Sequence, residues 1–343
     1  MKIKLKPINE QVVVVCGASS GIGRIAALDF AERGAKVVVS ARSEAGLKSL
    51  VAEIEHRGGE AFYQIADAAD FEQVKAVADQ TVEKFGSLDT WVHSAATFIF
   101  AKVEQTEPEE YKRLVEVNLL GQIYGAKAAL PHLKKNGGAL IHISSVEAWR
   151  TVPFQSAYGA SKHGINGFVQ ALRVELAHDE IPVSVTQILP AAINTPIYDK
   201  GRNKMPFKPR PLPPIYHPQI VSDAILYAAE NPTADLIAGG AGVCVVLAER
   251  FSPRLAELIT GLIGFAGQKS DEPQKGEYAG GLFEPMGKFD TVEGRFSDEQ
   301  LKSDPITWLS IHPAAKNTLL TVGGIVGGLI AWKLLNKNQG ENE

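Results

Sequence analysis

A doubly wound α/β domain, with a parallel sheet of seven strands between two layers of helices, is predicted by three observations. Short apolar runs alternate with amphipathic runs from residue 12 to about residue 140, the pattern of strands covered on both faces by crossover helices. The first apolar run, Val12–Cys16, passes at once into Gly17-Ala-Ser-Ser-Gly-Ile-Gly23 and then into an amphipathic stretch over residues 25–33. Glycines there let backbone approach a pyrophosphate, and the following helix N-terminus offers unpaired N–H groups and a positive dipole end. A later apolar run, residues 139–143, ends beside Ser145, with Tyr158 and Lys162 following on one helical stretch.

Taken in order, Gly34 closes the first helix and residues 36–40 form the second strand. The turn after that strand selects the nucleotide, because an acid there binds a free ribose 2′-hydroxyl and repels a 2′-phosphate. Here it reads Ala41-Arg42-Ser43, with no acid before Glu44. A guanidinium and a hydroxyl suit a phosphate, so NADP(H) is expected; the alternative is an arginine solvated at a helix start. Residues 61–65 form the third strand, followed by Asp67 and Ala68. Residues 88–93 form the fourth and lead into Ser94-Ala95-Ala96. A long helix from about 108 to 135 holds Asn118, a poor residue for a helix interior because its amide competes with the backbone. Residues 139–143, 183–189 and 243–247 complete the sheet, with a helix from about 218 to 230 before the last strand.

Tyr158 and Lys162 are four residues apart, so both side chains stand on one helix face. An ammonium beside a phenol favours the phenolate, which lets a tyrosine of ordinary pKa about 10 act as acid or base nearer neutrality. Ser145, just past a strand's C-terminal end, points into the cleft where α/β sheets bind ligands. The pair alone is also compatible with an ordinary surface tyrosine and lysine.

The glycine spacing together with Ser145, Tyr158 and Lys162 resembles the short-chain dehydrogenase/reductase family, over roughly residues 12–247. The resemblance implies a Rossmann-type fold and a tetrad of Asn118, Ser145, Tyr158 and Lys162. It also implies cofactor contacts at Gly17, Ser19, Ser20, Gly21, Ile22 and Gly23, at Arg42 and Ser43, and at Asp67 and Ala68. Tyr158 and Lys162 are expected to touch the cofactor too, as are Ile193 and Thr195 after the sixth strand. Asn118 would hold a water linking the lysine to solvent, and hydride would pass directly between nicotinamide and substrate carbon, with no metal. Two places depart from the family's pattern. His93-Ser94-Ala95-Ala96 replaces Asn-Asn-Ala-Gly, adding a Cβ at Ala96 where the backbone passes the cofactor ribose and suggesting a structural hydrogen bond for His93, and Ala191 replaces a glycine. The expected activity is interconversion of an alcohol and a ketone or aldehyde on a lipophilic small molecule; the rival is a catalytically silent, NADP-binding scaffold on the same fold.

The chain has 343 residues, 45% hydrophobic and 22% charged, with net charge −4, which argues against a nucleic-acid binder. Cys16 and Cys244 each fall in an apolar run read as a strand. They make no disulfide framework, so a reducing, cytoplasmic setting is expected, and no secretory signal is read at the start of the chain. The catalytic domain is expected over 1–250, an apolar helix over 251–267, a mobile polar linker over 268–316 and a second apolar helix over 317–335. That last segment runs uncharged over residues 317–332, and is expected to tether the chain to a membrane or, alternatively, to pack in an oligomer; a homo-oligomer is expected. Residues 199–218 read as a long irregular, proline-rich loop, which the resemblance implies is a lid over the substrate. Its Lys200, Arg202, Lys204, Lys208 and Arg210 either meet an acidic substrate or anionic headgroups, or form a solvated face.

Overall fold

The computed structural model describes residues 3–318. Seven strands form one sheet: β1 (Val12–Cys16), β2 (Lys36–Ala41), β3 (Glu60–Ile65), β4 (Thr90–His93), β5 (Gly138–Ile143), β6 (Val183–Pro190) and β7 (Asp235–Ala238). Their order across the sheet is β3-β2-β1-β4-β5-β6-β7, and every pairing is parallel. The chain winds outward from β1 to β3, then restarts at β4 on the other side. Crossovers therefore diverge between β1 and β4, which opens a crevice beyond the C-terminal ends of those strands.

Alternate residues of each strand feed opposite cores. Val13, Val15, Val37 and Val39 pack with helices α1 (Gly21–Glu32) and α2 (Glu44–His56). Val14, Cys16, Val38 and Trp91 pack against α3 (Phe71–Phe85). Between α4 (Pro108–Val115) and α5 (Gly121–Asn136) the long helix is interrupted by a π-helical stretch, Glu116–Leu120, that contains Asn118. An amide that hydrogen-bonds outside its own helix sits where the regular ladder is broken. The helix carrying Tyr158 and Lys162 is α6 (Ser156–His178), and α7 (Gln219–Glu230) packs on the same face as α1.

The edge of the sheet differs from expectation. Residues 243–247 are not a strand; they lie within α8 (Gly240–Phe251), and the seventh strand is Asp235–Ala238. A five-residue apolar run does not by itself distinguish a strand from a helix. Here the place beside β6 is taken by residues 235–238, and Gly239, at φ 104°, turns the chain into the helix. Cys244 is accordingly exposed on a helix, while Cys16 is buried in β1. The apolar helix expected over 251–267 is α9 (Pro253–Gly267).

The stretch read as a linker folds back across the domain. Lys269–Pro273 pairs with Phe207–Pro209, Gln300–Leu301 pairs with Ile215–Tyr216, and Thr307 of α10 (Pro305–Ser310) accepts the Gly239 N–H. The lid's cations are engaged by this return and by α4. Lys200 pairs with Asp290, Arg202 and Lys204 with Glu110, Lys208 with Glu272, and Arg210 with Glu299. Each of these cations thus has a carboxylate of this chain as its partner, which a freely solvated face would lack. Composition signalled a polar segment, and its polar groups are used inside the molecule. All but the first two residues of the apolar segment expected over 317–335 lie outside the described residues; among those described, no helix is long and apolar enough to cross a membrane.

Two helical glycines make a matched test of packing. A Cβ on Gly125 would lie 2.5 Å from His93 Nδ1 and 2.6 Å from Trp91 Nε1, whereas nothing stands within 4 Å of one on Gly167. Urea unfolding should therefore show Gly125→Ala less stable by ~1–3 kcal/mol from overpacking. Gly167→Ala should gain up to ~1 kcal/mol from helix propensity. Equal stability of Gly125→Ala and the parent would contradict this packing.

Candidate active site

The crevice between β1 and β4 is a continuous cleft. One wall is the glycine loop, with Gly17, Ser19, Ser20, Gly21 and Ile22, and its far end holds Arg42, Ser43, Asp67 and Ala68. The opposite wall carries Ser145, Tyr158, Lys162, Ile193 and Thr195, and the floor is Ser94-Ala95-Ala96-Thr97. Two predicted residues stand behind the surface. Gly23 lies under the loop, where a Cβ would meet Gly17 O at 2.3 Å. Asn118 ties down the β4 loop: its Oδ1 accepts the Thr97 N–H at 2.7 Å and its Nδ2 donates to Thr97 O at 3.0 Å. Both halves of the amide are thus used on the backbone.

The β5 end and α6 bring Ser145, Tyr158 and Lys162 together. Ser145 caps a short 3-10 turn by accepting the Glu147 N–H. Lys162 Nζ donates to Ile143 O at 3.0 Å and lies 5.2 Å from the centre of the Tyr158 ring. Burial pulls its ammonium down to about 7, against a raising effect of Glu147. Tyr158 is held above the ordinary phenol value by burial first, then by Glu147 and Tyr198, while a hydrogen bond with Ser145 works the other way. The net direction is upward, against the lowering expected from Lys162 alone. The balance keeps the phenol protonated at neutral pH.

Glu147, Gln122 and Arg113 had not been singled out from sequence. Glu147, two residues past Ser145, is itself raised by burial to about 8, and its Oε2 has no hydrogen-bond partner among the described residues. Gln122 bridges the framework: its Nε2 donates to His93 O and to Ile143 O, and its Oε1 meets His142 Nδ1 at 2.7 Å. Arg113 holds Asp67 by an ion pair of 2.6 Å. His93 is buried, receives the Trp91 indole N–H at 3.4 Å and is lowered by burial to about 3. It is neutral and structural, as its position suggested. Around Tyr158 stand aromatic rings: Phe98 edge-on at 5.8 Å, with Phe100, Phe154, Phe207 and Tyr198 linked beyond it.

Residues 11–206 match the family model described as short chain dehydrogenase. An uncharacterized oxidoreductase of Bacillus subtilis, YxnA, is 33% identical over 96% of this chain and 92% of its own length. A 3beta-hydroxysteroid dehydrogenase of Mediterraneibacter gnavus is 33% identical over 56% of this chain and 70% of its own. Among solved structures, an alcohol dehydrogenase of the archaeon Thermococcus sibiricus, complexed with 5-hydroxy-NADP, superposes with a TM-score of 0.59 at 27% identity, covering 66% of this chain and 95% of that one. With its parallel seven-stranded sheet and its glycine-loop cleft, the chain belongs to the short-chain dehydrogenase family of oxidoreductases.

Proposed function

We propose that the chain is an NADP(H)-dependent oxidoreductase that interconverts an alcohol and a ketone or aldehyde on an apolar small molecule. The observation that carries this reading is the convergence of Ser145, Tyr158 and Lys162 on one side of a cleft whose other side is the glycine loop. The donor set fits a dinucleotide: Ser19, Ser20 and Lys200 border the loop where phosphates would lie, and Arg42 and Ser43 border the adenosine end. The nicotinamide cofactor, when bound, supplies or accepts the hydride.

The residues of the chain then divide the remaining work. Ser145 donates a hydrogen bond to the carbonyl oxygen and fixes it beside the Tyr158 hydroxyl. Tyr158, kept protonated by its surroundings, gives its proton to that oxygen during reduction and recovers one during oxidation. Lys162 binds the ribose and stabilises the phenolate once it forms, while Asn118 fixes the Thr97 backbone at the floor. The aromatic rings around Tyr158 exclude water and suit an apolar frame around the reacting carbon, a class that includes the hydroxysteroid for which one relative is named.

Tyr158→Phe removes one oxygen with little change of shape. Turnover on a reducible carbonyl should fall by about 10²–10⁴, with nucleotide binding retained, and Lys162→Ala should damage both. Near-normal turnover of Tyr158→Phe would return the chain to the silent-scaffold reading.

NADPH should bind more tightly than NADH, and Arg42→Ala should weaken NADPH by roughly ten- to a hundred-fold through loss of a charge-assisted pair. Titration of both nucleotides against both proteins checks this; indifference of NADPH binding to Arg42→Ala would refute it.

The pH dependence carries a third test. An ionised Glu147 raises Tyr158, so Glu147→Gln should lower the phenol and move the rising, acid-side limb of alcohol oxidation, where the phenolate acts as base, toward lower pH. A shift toward higher pH, or none, would remove Glu147 from the electrostatics of the site.

A further inference from the structure

The adenosine end of the cleft is crossed by a strap from the C-terminal return, and the strap places a carboxylate among the groups assigned to the 2′-phosphate. Arg42 does not point into open cleft. Its guanidinium donates to the carbonyls of Gly281, Leu282 and Phe283, the last at 2.7 Å. Eight residues past Leu282, Asp290 Oδ2 accepts the Ser43 hydroxyl at 3.0 Å, and Oδ1 pairs with Lys200 Nζ at 2.9 Å. The same ammonium donates to Ser20 Oγ at 3.1 Å, and Thr291 O accepts the Gly21 N–H at 2.8 Å.

The seat under Asp290 is shaped for an anion. It lies against the first turn of α2, whose N-cap Ser43 accepts the Gly46 N–H, at the positive end of the helix dipole. Gly46 leaves the room: a Cβ there would come within 2.7 Å of the Asp290 carboxyl carbon and 2.9 Å of Ser19 Cβ. Asp290 is shielded, its side chain 14% exposed. The residue before it, Phe289, stands in the left-handed region at φ 65°, a conformation a phenylalanine keeps only where its surroundings hold it.

We propose that Asp290 is a specificity-determining residue that competes with the 2′-phosphate for this seat. The proposal rests on the assignment of Arg42 and Ser43 to that phosphate. A dianionic phosphate and a carboxylate cannot share one hydroxyl, one ammonium and one helix end without strong repulsion. NADPH must therefore displace Asp290 and draw Arg42 from its carbonyls. NADH brings only a ribose hydroxyl, which a carboxylate accepts as a hydrogen-bond donor. The acid missing from the turn after β2 is thus supplied from a distant part of the chain, and the docked strap narrows the preference for NADPH that Arg42 creates.

The test measures Kd for NADPH and NADH with the full chain and with Asp290→Asn, Asp290→Ser, Asp298→Asn and Arg42→Ala, each first compared by thermal melting without nucleotide. Asp290→Asn and Asp290→Ser should tighten NADPH by about five- to thirty-fold and leave NADH unchanged or weaker. Asp298→Asn, removing an exposed acid of the same return, should change neither. If Arg42→Ala costs NADPH binding but neither Asp290 variant raises the NADPH-to-NADH affinity ratio, Asp290 is not a competitor, though the phosphate assignment stands. Weaker binding of NADPH in the Asp290 variants would make the strap part of the nucleotide site and overturn the proposal. If Arg42→Ala leaves NADPH binding unchanged, the phosphate assignment itself fails, and this inference with it.

Discussion

A Cβ on Gly17 would lie 2.4 Å from the backbone nitrogen of Ala95 and 2.7 Å from the carbonyl carbon of Ser94. The loops leaving β1 and β4 therefore pass in backbone contact, at φ 86° for the glycine, a region in which L side chains are strained. Two further bonds hold the junction: the Gly17 N–H donates to Ser40 O at 2.7 Å and the Ser94 N–H to Cys16 O at 2.8 Å. Because these loops meet without side chains between them, the glycine loop and the Ser94–Thr97 floor stand at a fixed separation. A dinucleotide site on a parallel sheet depends on that separation, since the crevice exists only where crossovers diverge. The β4 side carries Ala96 where the family usually has glycine, while the demand for no side chain falls on Gly17.

Beneath the opposite wall lies a second constraint, a shared carbonyl. Ile143 O accepts from both Lys162 Nζ and Gln122 Nε2, and Gln122 reaches on to His93 O and the His142 ring. Gln122 thus spends both halves of its amide inside this buried layer, while Nε2 of His93 and of His142 has no hydrogen-bond partner among the described residues. Both histidines are lowered to about 3 by burial, so the layer is neutral around the lysine. Burial lowers the lysine, and the one charge that works in the other direction is Glu147. That carboxylate also raises Tyr158. The acid and the ammonium of the site are thus tuned by a residue that the tetrad motif does not contain.

Strands β1 to β6 and the helices between them are legible because their signals are local: apolar runs of strand length, a glycine loop, a helix carrying Tyr158 and Lys162. The residues at the strand ends follow from the same reading, since chain order and parallel topology put them at one edge of the sheet. What fails is of another kind. Val243 to Leu247 has the length and branching of a strand, and only the prior occupation of the sheet edge by residues 235–238 makes it helical. Spacing puts Tyr158 and Lys162 on one helix face but does not give the net position of the phenol, which burial and Glu147 push upward. Glu147 and Gln122 are ordinary polar residues in the sequence; their roles come from burial, which periodicity alone does not measure.

The same distinction explains the C-terminal third. High polarity with scattered glycine and proline has two physical outcomes, a solvated tether or a segment that satisfies polar groups elsewhere on the same molecule. The lid decides between them. Glu110 on α4 takes both Arg202 at 2.6 Å and Lys204 at 2.9 Å, with Lys204 only 4% and Glu110 6% exposed. Burial alone would raise that carboxyl, but hydrogen bonds from Lys204 and Arg202 bring it below its ordinary value. A buried pair of this kind fixes geometry because breaking it leaves an unpaired charge. With the lid anchored on α4, Lys200, Lys208 and Arg210 stand at set positions, and Asp290, Glu272 and Glu299 of the return match them in turn. Exposed pairs contribute little one at a time. Together with the short strands at Lys269–Pro273 and Gln300–Leu301, they nevertheless specify one path for the return, and that path runs over the end of the cleft that holds Arg42 and Ser43. The folded unit that forms the site consequently extends to α10, well past residue 206, where the family match ends, and the rim of the cleft is built from both.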